Sequence, residues 1–255
     1  MSKIQSAFLN TKACIAFITC GDPDLETTEK NVMAAIAGGA DLIELGIPFS
    51  DPVGENPVAE RSAQRALKNG TTTDDVFSMI ENLRQKTAVP MVFRTYANVV
   101  YSYGAERFIA ECAQLGVDGL VLPDVPCEEQ EEFLPLCNYY GVDLISFITP
   151  ASDSRFAMIT KKATGFLYIA CNMEAAENNE KAVQVQKIIE KVRQNSTMPC
   201  VVEVNGEDCK QLHQLAKLTD GVITAQIIAE ISEKYGHQAP DYIYEHIRRI
   251  KLALT

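Results

Sequence analysis

The stretch "DLIELGIPFSDPVGENP" (41–57) joins an apolar run to a proline-rich loop. The run is typical of a buried strand, yet one carboxylate, Glu44, interrupts it. Burying a carboxylate is costly unless the group is paired or hydrogen-bonded. Pro48, Pro52 and Pro57 then follow within ten residues, so the loop cannot be helical and has little conformational freedom to lose on folding. A buried acid beside a rigid loop indicates a functional site.

The same order, an apolar run and then an amphipathic segment, recurs along the chain on both sides of this stretch. Strands are predicted at 14–21, 41–48, 90–96, 118–124, 142–150, 165–171, 200–206 and 221–228. Eight parallel strand–helix units in about 250 residues favour an α/β fold, a single (β/α)8 TIM barrel that covers residues 1–255. A doubly wound open sheet is the alternative, but its first turn is usually Gly-rich, unlike "CGDPD" (20–24). The polar segment 172–182 is predicted to be a mobile loop after the sixth strand.

The composition excludes several classes of protein. No apolar run is long enough to span a membrane and no signal-peptide core is visible, so we expect a cytoplasmic protein without a membrane partner. The net charge is −11 and no basic stripe is present, which argues against a nucleic-acid partner. The eight cysteines form no C-x-x-C pair and are predicted to be small core hydrophobes, and the three histidines do not form a metal site with them.

Barrel enzymes place their chemistry at the C-terminal ends of the strands. Glu44 and Glu203 carry charge inside predicted strands, either as site residues or as buried ion pairs that fill the barrel. Arg94 either points into the barrel or extends outward along the helix layer. The other polar residues at strand ends are Thr19, Asp22, Tyr96, Asn98, Asp124, Thr149, Tyr168, Cys171, Asn205, Thr224 and Gln226.

Four motifs in order, "FITCGDPD" (17–24), "ELGIPFSDP" (44–52), "TYANVVYSYG" (95–104) and "LPDVPCEE" (122–129), resemble the tryptophan synthase alpha subunit family. The resemblance covers essentially the whole chain. It implies a TIM barrel that cleaves indole-3-glycerol phosphate to indole and glyceraldehyde 3-phosphate without a cofactor. It also implies a pyridoxal-phosphate-bearing beta subunit as a partner.

The family's site residues map onto this chain by position. The resemblance implies catalytic roles for Glu44, Glu55 and Tyr168. The family has Asp-Gly-Pro where this chain has Glu55-Asn56-Pro57, and because glycine reaches positive φ more easily than Asn, we expect an altered reach for Glu55. The substrate-binding candidates are Phe17, Arg94, Tyr96, Thr149, Cys171, Glu203, Asn205, Ala225 and Gln226. The residues implied to face the beta subunit are Pro48, Asp51, Pro52, Asn98 and Asp124.

The phosphate-binding segments of the family are all altered here. The family uses Gly-rich or hydroxyl-bearing segments after strands 6, 7 and 8, which let backbone N–H groups approach the phosphate oxygens. This chain has "CNMEAAENN" (171–179), "EVNGED" (203–208) and Ala225-Gln226 instead. A carboxylate held near a phosphate opposes binding. We therefore expect weak phosphate binding.

Arg94 stands where the family has an apolar residue that lines the indole slot. Strands 3 and 7 face each other across the barrel, so we predict an ion pair between Arg94 and Glu203 inside its mouth. Three functions remain open. One is the family lyase, and another is a barrel repurposed for a non-phosphorylated or carboxylate ligand. The last is a catalytically weak partner or activator of a beta-type subunit.

Overall fold

A computed structural model describes residues 3–9, 11–52, 55–149, 152, 155–170, 178–204 and 209–254. Eight parallel strands close into a barrel in sequential order, and helices lie between them, which confirms the predicted (β/α)8 fold. The strands are β1 (Ala13–Thr19), β2 (Leu42–Gly46), β3 (Met91–Arg94), β4 (Gly119–Val121), β5 (Asp143–Ile148), β6 (Leu167–Ile169), β7 (Cys200–Val204) and β8 (Gly221–Thr224).

The helices surround the barrel, except α1, which closes one end of it. They are α1 (Lys3–Ser6), α2 (Leu25–Gly38), α3 (Pro57–Lys68), α4 (Thr73–Arg84), α5 (Ala97–Tyr103), α6 (Ala105–Leu115), α7 (Leu134–Tyr140), α8 (Phe156–Lys162), α9 (Asn178–Arg193), α10 (Cys209–Leu218), α11 (Gln226–Tyr235) and α12 (Ala239–Leu254). Short 3-10 turns occur at Cys127–Glu132 and Gly236–Gln238.

Alternation along the strands decides which side chains point into the barrel. Ile15 and Phe17 of β1 belong to the interior cluster, whereas Ala16 and Ile18 pack on the helix side. Val92 of β3 and Val201 of β7 are also interior residues. Arg94 and Glu203 each lie two positions further along the same strands, so alternation directs both charged side chains inward.

One end of the barrel is closed by α1. Ile4 is fully buried and joins the interior cluster. A Cβ atom at Gly119 would lie 2.9 Å from the Cδ1 atom of Ile4, so the glycine makes space for this plug. The opposite end, where the strands have their C-termini, therefore holds the functional groups.

Two of the predicted segments differ from the structure in the type of element they form. The strand predicted at 221–228 ends at Thr224, because α11 begins at Gln226 and buries Ile228 and Ala229 as a helix face. A short apolar run does not distinguish these states by periodicity. Of the predicted loop 172–182, residues 178–182 belong to α9, and residues 172–177 lie outside the described part of the chain.

Cysteine burial agrees with the composition argument. The six cysteines whose burial is described, namely Cys14, Cys20, Cys112, Cys127, Cys137 and Cys200, are free thiols in the interior. Among the described residues, no set of histidine, cysteine and acidic side chains is arranged to hold a metal ion. None of the described helices is long and apolar enough to cross a membrane.

Candidate active site

Arg94, at the end of β3, lies at the centre of a polar cluster in the barrel mouth. Its Nη2 atom is 2.7 Å from Oε1 of Glu55, and its Nη1 atom is 3.7 Å from Oε1 of Glu44. The predicted ion pair with Glu203 is confirmed, with 4.0 Å between Nη1 and Oε2. The carboxylate nearest to Arg94 is nevertheless Glu55. We missed that pair because Glu55 belongs to a loop, whose path across the barrel mouth is not set by strand alternation.

Two aromatic rings flank the guanidinium group of Arg94. Its central carbon lies 5.3 Å from the ring centroid of Phe17 and 5.8 Å from that of Tyr168. A Cβ atom at Gly46 would lie 2.6 Å from the Phe17 ring, so this glycine gives the ring its place. Cation–π contacts of this kind stabilise a cation by about 0.5–2 kcal/mol. Arg94 is therefore fixed in position by both charge and stacking.

Glu44, in the middle of β2, is the deepest acid of the cluster. Its side chain is 0% exposed, and neither carboxyl oxygen has a hydrogen-bond partner among the described residues. The 3.7 Å separation from Arg94 is too long for a hydrogen bond. Burial raises the pKa of Glu44 to about 7, Arg94 opposes this, and the charges of Glu203 and Glu55 add to it. A carboxyl group with such a pKa suits proton donation near neutral pH.

Glu55 is held from two sides. Its Oε1 atom accepts hydrogen bonds from Nη2 of Arg94 at 2.7 Å and from the hydroxyl of Tyr96 at 3.2 Å. Tyr96 in turn packs on Phe49, with 5.2 Å between ring centroids. The Glu55 carboxylate is thus placed beside Arg94 and shares that cation with Glu44.

Asn56 fixes the start of α3. Its Oδ1 atom accepts hydrogen bonds from the backbone N–H groups of Val58 at 3.0 Å and Ala59 at 2.9 Å, so Asn56 is the N-cap of α3 and Pro57 is the first helical residue. The φ angle of Asn56 is −76°. Our expectation that losing a glycine here affects Glu55 through positive φ was wrong, because the position is extended.

Tyr168 connects Arg94 to Glu203. The Tyr168 hydroxyl donates a 2.7 Å hydrogen bond to Oε2 of Glu203 and accepts a 3.4 Å hydrogen bond from Nη1 of Arg94. Burial, followed by the charge of Glu203, raises the pKa of Tyr168 well above its usual value, so the phenol keeps its proton. Glu203, with 21% of its side chain exposed, lies nearer the rim than the fully buried Glu44.

Several predicted site residues lie apart from this cluster. Thr149 faces Ser152, with 3.2 Å between their hydroxyl oxygens, and Gln226 donates a 2.8 Å hydrogen bond to Glu230. Ala225 is buried and packs with the barrel interior. Cys171 and Asn205 lie outside the described residues.

Asp22 makes a structural contact. It pairs with Arg65 of α3 through two hydrogen bonds of 2.7 Å and accepts a third from Ser62. This network fastens the loop after β1 to α3. The three-residue spacing of Ser62 and Arg65 on one helix face was the sequence signal for it.

Most of the residues expected to face a partner subunit are at the surface. Asp51, Asn98 and Asp124 are exposed, and Pro52 is half-buried. Asp124 also accepts 3.1 Å hydrogen bonds from the backbone N–H of Ala97, which ties the loop after β4 to the start of α5. Pro48 is buried, so its side chain does not lie on the surface.

A small cavity adjoins the Arg94 cluster and has a volume of about 40 Å³. A water molecule needs roughly 10–15 Å³ of such space, so the cavity holds about three waters. The lining residues are Phe17, Thr19, Gly46, Ile47, Pro48, Phe49, Pro52, Glu55, Ala59, Ala63, Arg94 and Tyr96.

The chain matches one protein family over nearly its whole length. The family model for the tryptophan synthase alpha chain matches residues 4–251. The chain belongs to the tryptophan synthase alpha chain family. The alpha chain of Lacticaseibacillus casei is 40% identical over 255 residues, which is 100% of this chain and 96% of that protein. The alpha chain of Geotalea uraniireducens is 38% identical, over 92% of this chain and 91% of that protein.

Solved structures of the family have the same fold. Tryptophan synthase subunit alpha from Legionella pneumophila superposes with a TM-score of 0.91 at 28% identity, and the match covers 100% of this chain and 98% of that one. A chain of the tryptophan synthase complex from Pyrococcus furiosus gives a TM-score of 0.86 at 26% identity, over 94% and 98% of the two chains.

Proposed function

We propose that this protein is a lyase of tryptophan biosynthesis that cleaves indole-3-glycerol phosphate to indole and glyceraldehyde 3-phosphate. The observation that carries the proposal is the buried Glu44 carboxyl group, which has a pKa of about 7 and two oxygens without a partner among the described residues. A second carboxylate, Glu55, lies on the other side of the same arginine. The family of the chain supports the same reaction.

The reaction requires two proton transfers with opposite directions. The bond between C3 of the indole ring and the glycerol side chain breaks, C3 gains a proton, and the adjacent hydroxyl loses one as it becomes an aldehyde. Glu44 in its neutral form supplies the proton to C3. Glu55 as a carboxylate removes the indole N–H proton while Glu44 protonates C3. As the carbon–carbon bond breaks, Glu55 returns that proton to the nitrogen and takes the hydroxyl proton in its place. Exchange with solvent then removes the proton from Glu55 and restores the one on Glu44 before the next turnover. Two acids in different environments divide the roles of acid and base in this way.

Tyr96 positions Glu55, and Tyr168 positions Arg94, which lies beside both acids. Tyr168 remains protonated and directs its hydroxyl at Glu203, while Tyr96 holds Glu55. Phe17, Arg94 and Tyr96 line the cavity that a substrate enters, and they form its binding surface with Glu203. No step of this mechanism calls for a cofactor. Thr149, Ala225 and Gln226 complete the set of substrate-binding residues in this proposal.

The proposal includes a partner and a location. The exposed side chains of Asp51, Asn98 and Asp124 form the face on which a beta-type subunit docks. A solved relative from Pyrococcus furiosus is described as a tryptophan synthase complex, which supports such a partner. The protein acts in the cytoplasm as one domain over residues 1–255.

A repurposed barrel is the second candidate function, and Arg94 favours it. The Nε atom of Arg94 is buried and has no hydrogen-bond partner among the described residues. A guanidinium group with a free N–H matches the geometry of a carboxylate. In this candidate, a ligand carboxylate displaces Glu203 and binds Arg94 in place of an indole ring.

The test is to incubate the purified protein with indole-3-glycerol phosphate. Indole is measured after extraction, and glyceraldehyde 3-phosphate is measured by coupled oxidation. We expect both products in a one-to-one ratio, and at least about 100-fold slower formation of both by Glu44→Gln. If the wild-type protein forms no indole with or without an added beta subunit, the lyase proposal is rejected. Co-purification with the beta subunit in that case supports the role of a partner or activator.

A further inference from the structure

Arg94 faces the acid and the base of the proposed reaction with two different nitrogens. Its Nη2 atom lies 2.7 Å from Oε1 of Glu55, and its Nη1 atom lies 3.7 Å from Oε1 of Glu44. A guanidinium group is planar and presents its nitrogens in a fixed fork. The two carboxyl groups are therefore placed relative to each other through one rigid group.

The guanidinium group is itself held in place on the side of Nη1. This nitrogen donates a 3.4 Å hydrogen bond to the Tyr168 hydroxyl and lies 4.0 Å from Oε2 of Glu203. The ring centroid of Phe17 lies 5.3 Å from the central carbon of the group. Only 13% of the Arg94 side chain is exposed, so little solvent competes for these contacts. Arg94 is thus a fixed point against which a mobile side chain is oriented.

The orientation of the Glu55 carboxylate depends chiefly on this fixed point. The N-cap at Asn56 sets the backbone after Glu55, but the long side chain of Glu55 keeps rotamer freedom of its own. Its Oε1 atom accepts hydrogen bonds from Arg94 at 2.7 Å and from the Tyr96 hydroxyl at 3.2 Å. The contact with Arg94 is the shorter one, and it adds the attraction of opposite charges. Loss of the fork therefore loosens the base even when Tyr96 is present.

The charge of Arg94 also acts on the acid. Burial raises the pKa of Glu44 to about 7, Arg94 lowers it, and the charges of Glu203 and Glu55 raise it. Tyr168, which also interacts with the charge of Glu44, keeps its proton because burial and Glu203 raise its pKa. The 3.7 Å separation between Nη1 and Glu44 is too long for a hydrogen bond. Arg94 therefore eases proton release from Glu44 without occupying its oxygens.

We propose that Arg94 is the positioning residue for the acid–base pair of this site: one nitrogen orients Glu55 as the base, and the other faces Glu44 and keeps it a usable acid. This inference rests on the proposed lyase function and adds a residue that acts through both carboxyl groups. Arg94 itself transfers no proton, because guanidinium groups stay charged in proteins.

Two replacements separate the geometry of Arg94 from its charge. Arg94→Lys keeps the charge, but one ammonium nitrogen cannot hold Glu55 and face Glu44 as the fork does. We expect kcat for indole-3-glycerol phosphate to fall about 10- to 100-fold in this variant, with KM changed less than about threefold. Glu44 must be protonated to act, so the rate falls as the pH rises through its pKa, and Arg94→Lys keeps this basic limb of kcat/KM near pH 7.

Arg94→Met loses the charge as well as the fork. The pKa of Glu44 then rises, and the basic limb moves to higher pH by about 1 pH unit or more. Arg94→Gln is the second neutral variant if methionine prevents folding. Arg107→Lys and Arg107→Met, at an exposed position of α6, are the matched controls and leave kcat and the pH profile unchanged.

NMR of protein labelled at its glutamate carboxyl carbons tests the inference without substrate. The Glu44 signal is assigned by its absence from Glu44→Gln, and we expect it to titrate at higher pH in Arg94→Met than in wild type or Arg94→Lys. If the wild type forms no indole, the lyase function is rejected, and this titration alone then supports or overturns the inference. A kcat of folded Arg94→Lys within about threefold of wild type, or an unchanged Glu44 titration in a folded neutral variant, overturns it.

Discussion

Replacing Arg94 by methionine removes the positive charge that lies beside three acidic side chains in the barrel mouth. The guanidinium nitrogens lie 2.7 Å from Glu55, 3.7 Å from Glu44 and 4.0 Å from Glu203. One pair of charges at 4 Å contributes about 4 kcal/mol at an effective dielectric constant of 20. The cost of burying the arginine offsets much of the sum. Breaking a buried pair by removing one partner typically costs about 3–5 kcal/mol, and we expect that loss for Arg94→Met at pH 8.

The loss depends on pH with a definite sign. Arg94 lowers the pKa of Glu44, so its removal raises that pKa further above the unfolded value. An acid whose pKa is raised in the folded state binds more protons there, and stability then falls as the pH rises through that range. Protonation of Glu44 at pH 4.5 relieves part of the repulsion. The destabilisation by Arg94→Met is therefore smaller at pH 4.5 than at pH 8, by about 2 kcal/mol or more.

Urea unfolding of both proteins at the two pH values measures this difference. Arg107→Met is the matched control, because Arg107 is 68% exposed and lies 4.0 Å from Asp74. Such surface pairs contribute about 0–1 kcal/mol. If Arg94→Met lost less than about 1 kcal/mol at pH 8, or lost the same amount at both pH values, the electrostatic reasoning about this cluster would be refuted.

Two further predictions concern single groups. Glu44 has its pKa raised from 4.5 to about 7, so the wild type loses stability as the pH rises from about 4.5 to about 7. Glu44→Gln does not show that loss. The free energy of unfolding of the variant minus that of the wild type is therefore about 3 kcal/mol larger at pH 8 than at pH 4.5. If this difference is the same at both pH values, the raised pKa of Glu44 is contradicted. Asn56→Ala removes the N-cap of α3 and costs about 1 kcal/mol in thermal unfolding, whereas Asn56→Asp retains it. Equal stability of the two Asn56 variants contradicts the capping role.

The features that depend on local pattern were predictable from the sequence. Each of the eight strands coincides with an apolar run of the sequence. Alternation along β3 and β7 was enough to predict that Arg94 and Glu203 meet inside the barrel. The end of β8 was not predictable, because the short apolar run after Thr224 is compatible with either a strand or a helix. In the structure it is helical, and Ile228 is buried on the inner face of α11.

The details of the site that depend on loop geometry could not be derived in this way. The contact between Glu55 and Arg94 joins a loop to a strand 39 positions away. The N-cap at Asn56, the residue after Glu55, sets where the loop turns into α3. The sequence contained the capping signal, an asparagine before a proline, but we interpreted Asn56 only as a lost glycine. A helix start recognised there would have corrected the expected backbone angle.

The most direct test of the central claim is the rate of indole formation from indole-3-glycerol phosphate by wild type and Glu44→Gln at pH 7. The claim is that a neutral Glu44 supplies the proton to the indole ring carbon. Glutamine is nearly isosteric but has no transferable acid proton, so we expect a folded protein with a rate at least about 100-fold lower, as for loss of a general acid. A folded Glu44→Gln variant that retains more than a few per cent of the wild-type rate would contradict the claim.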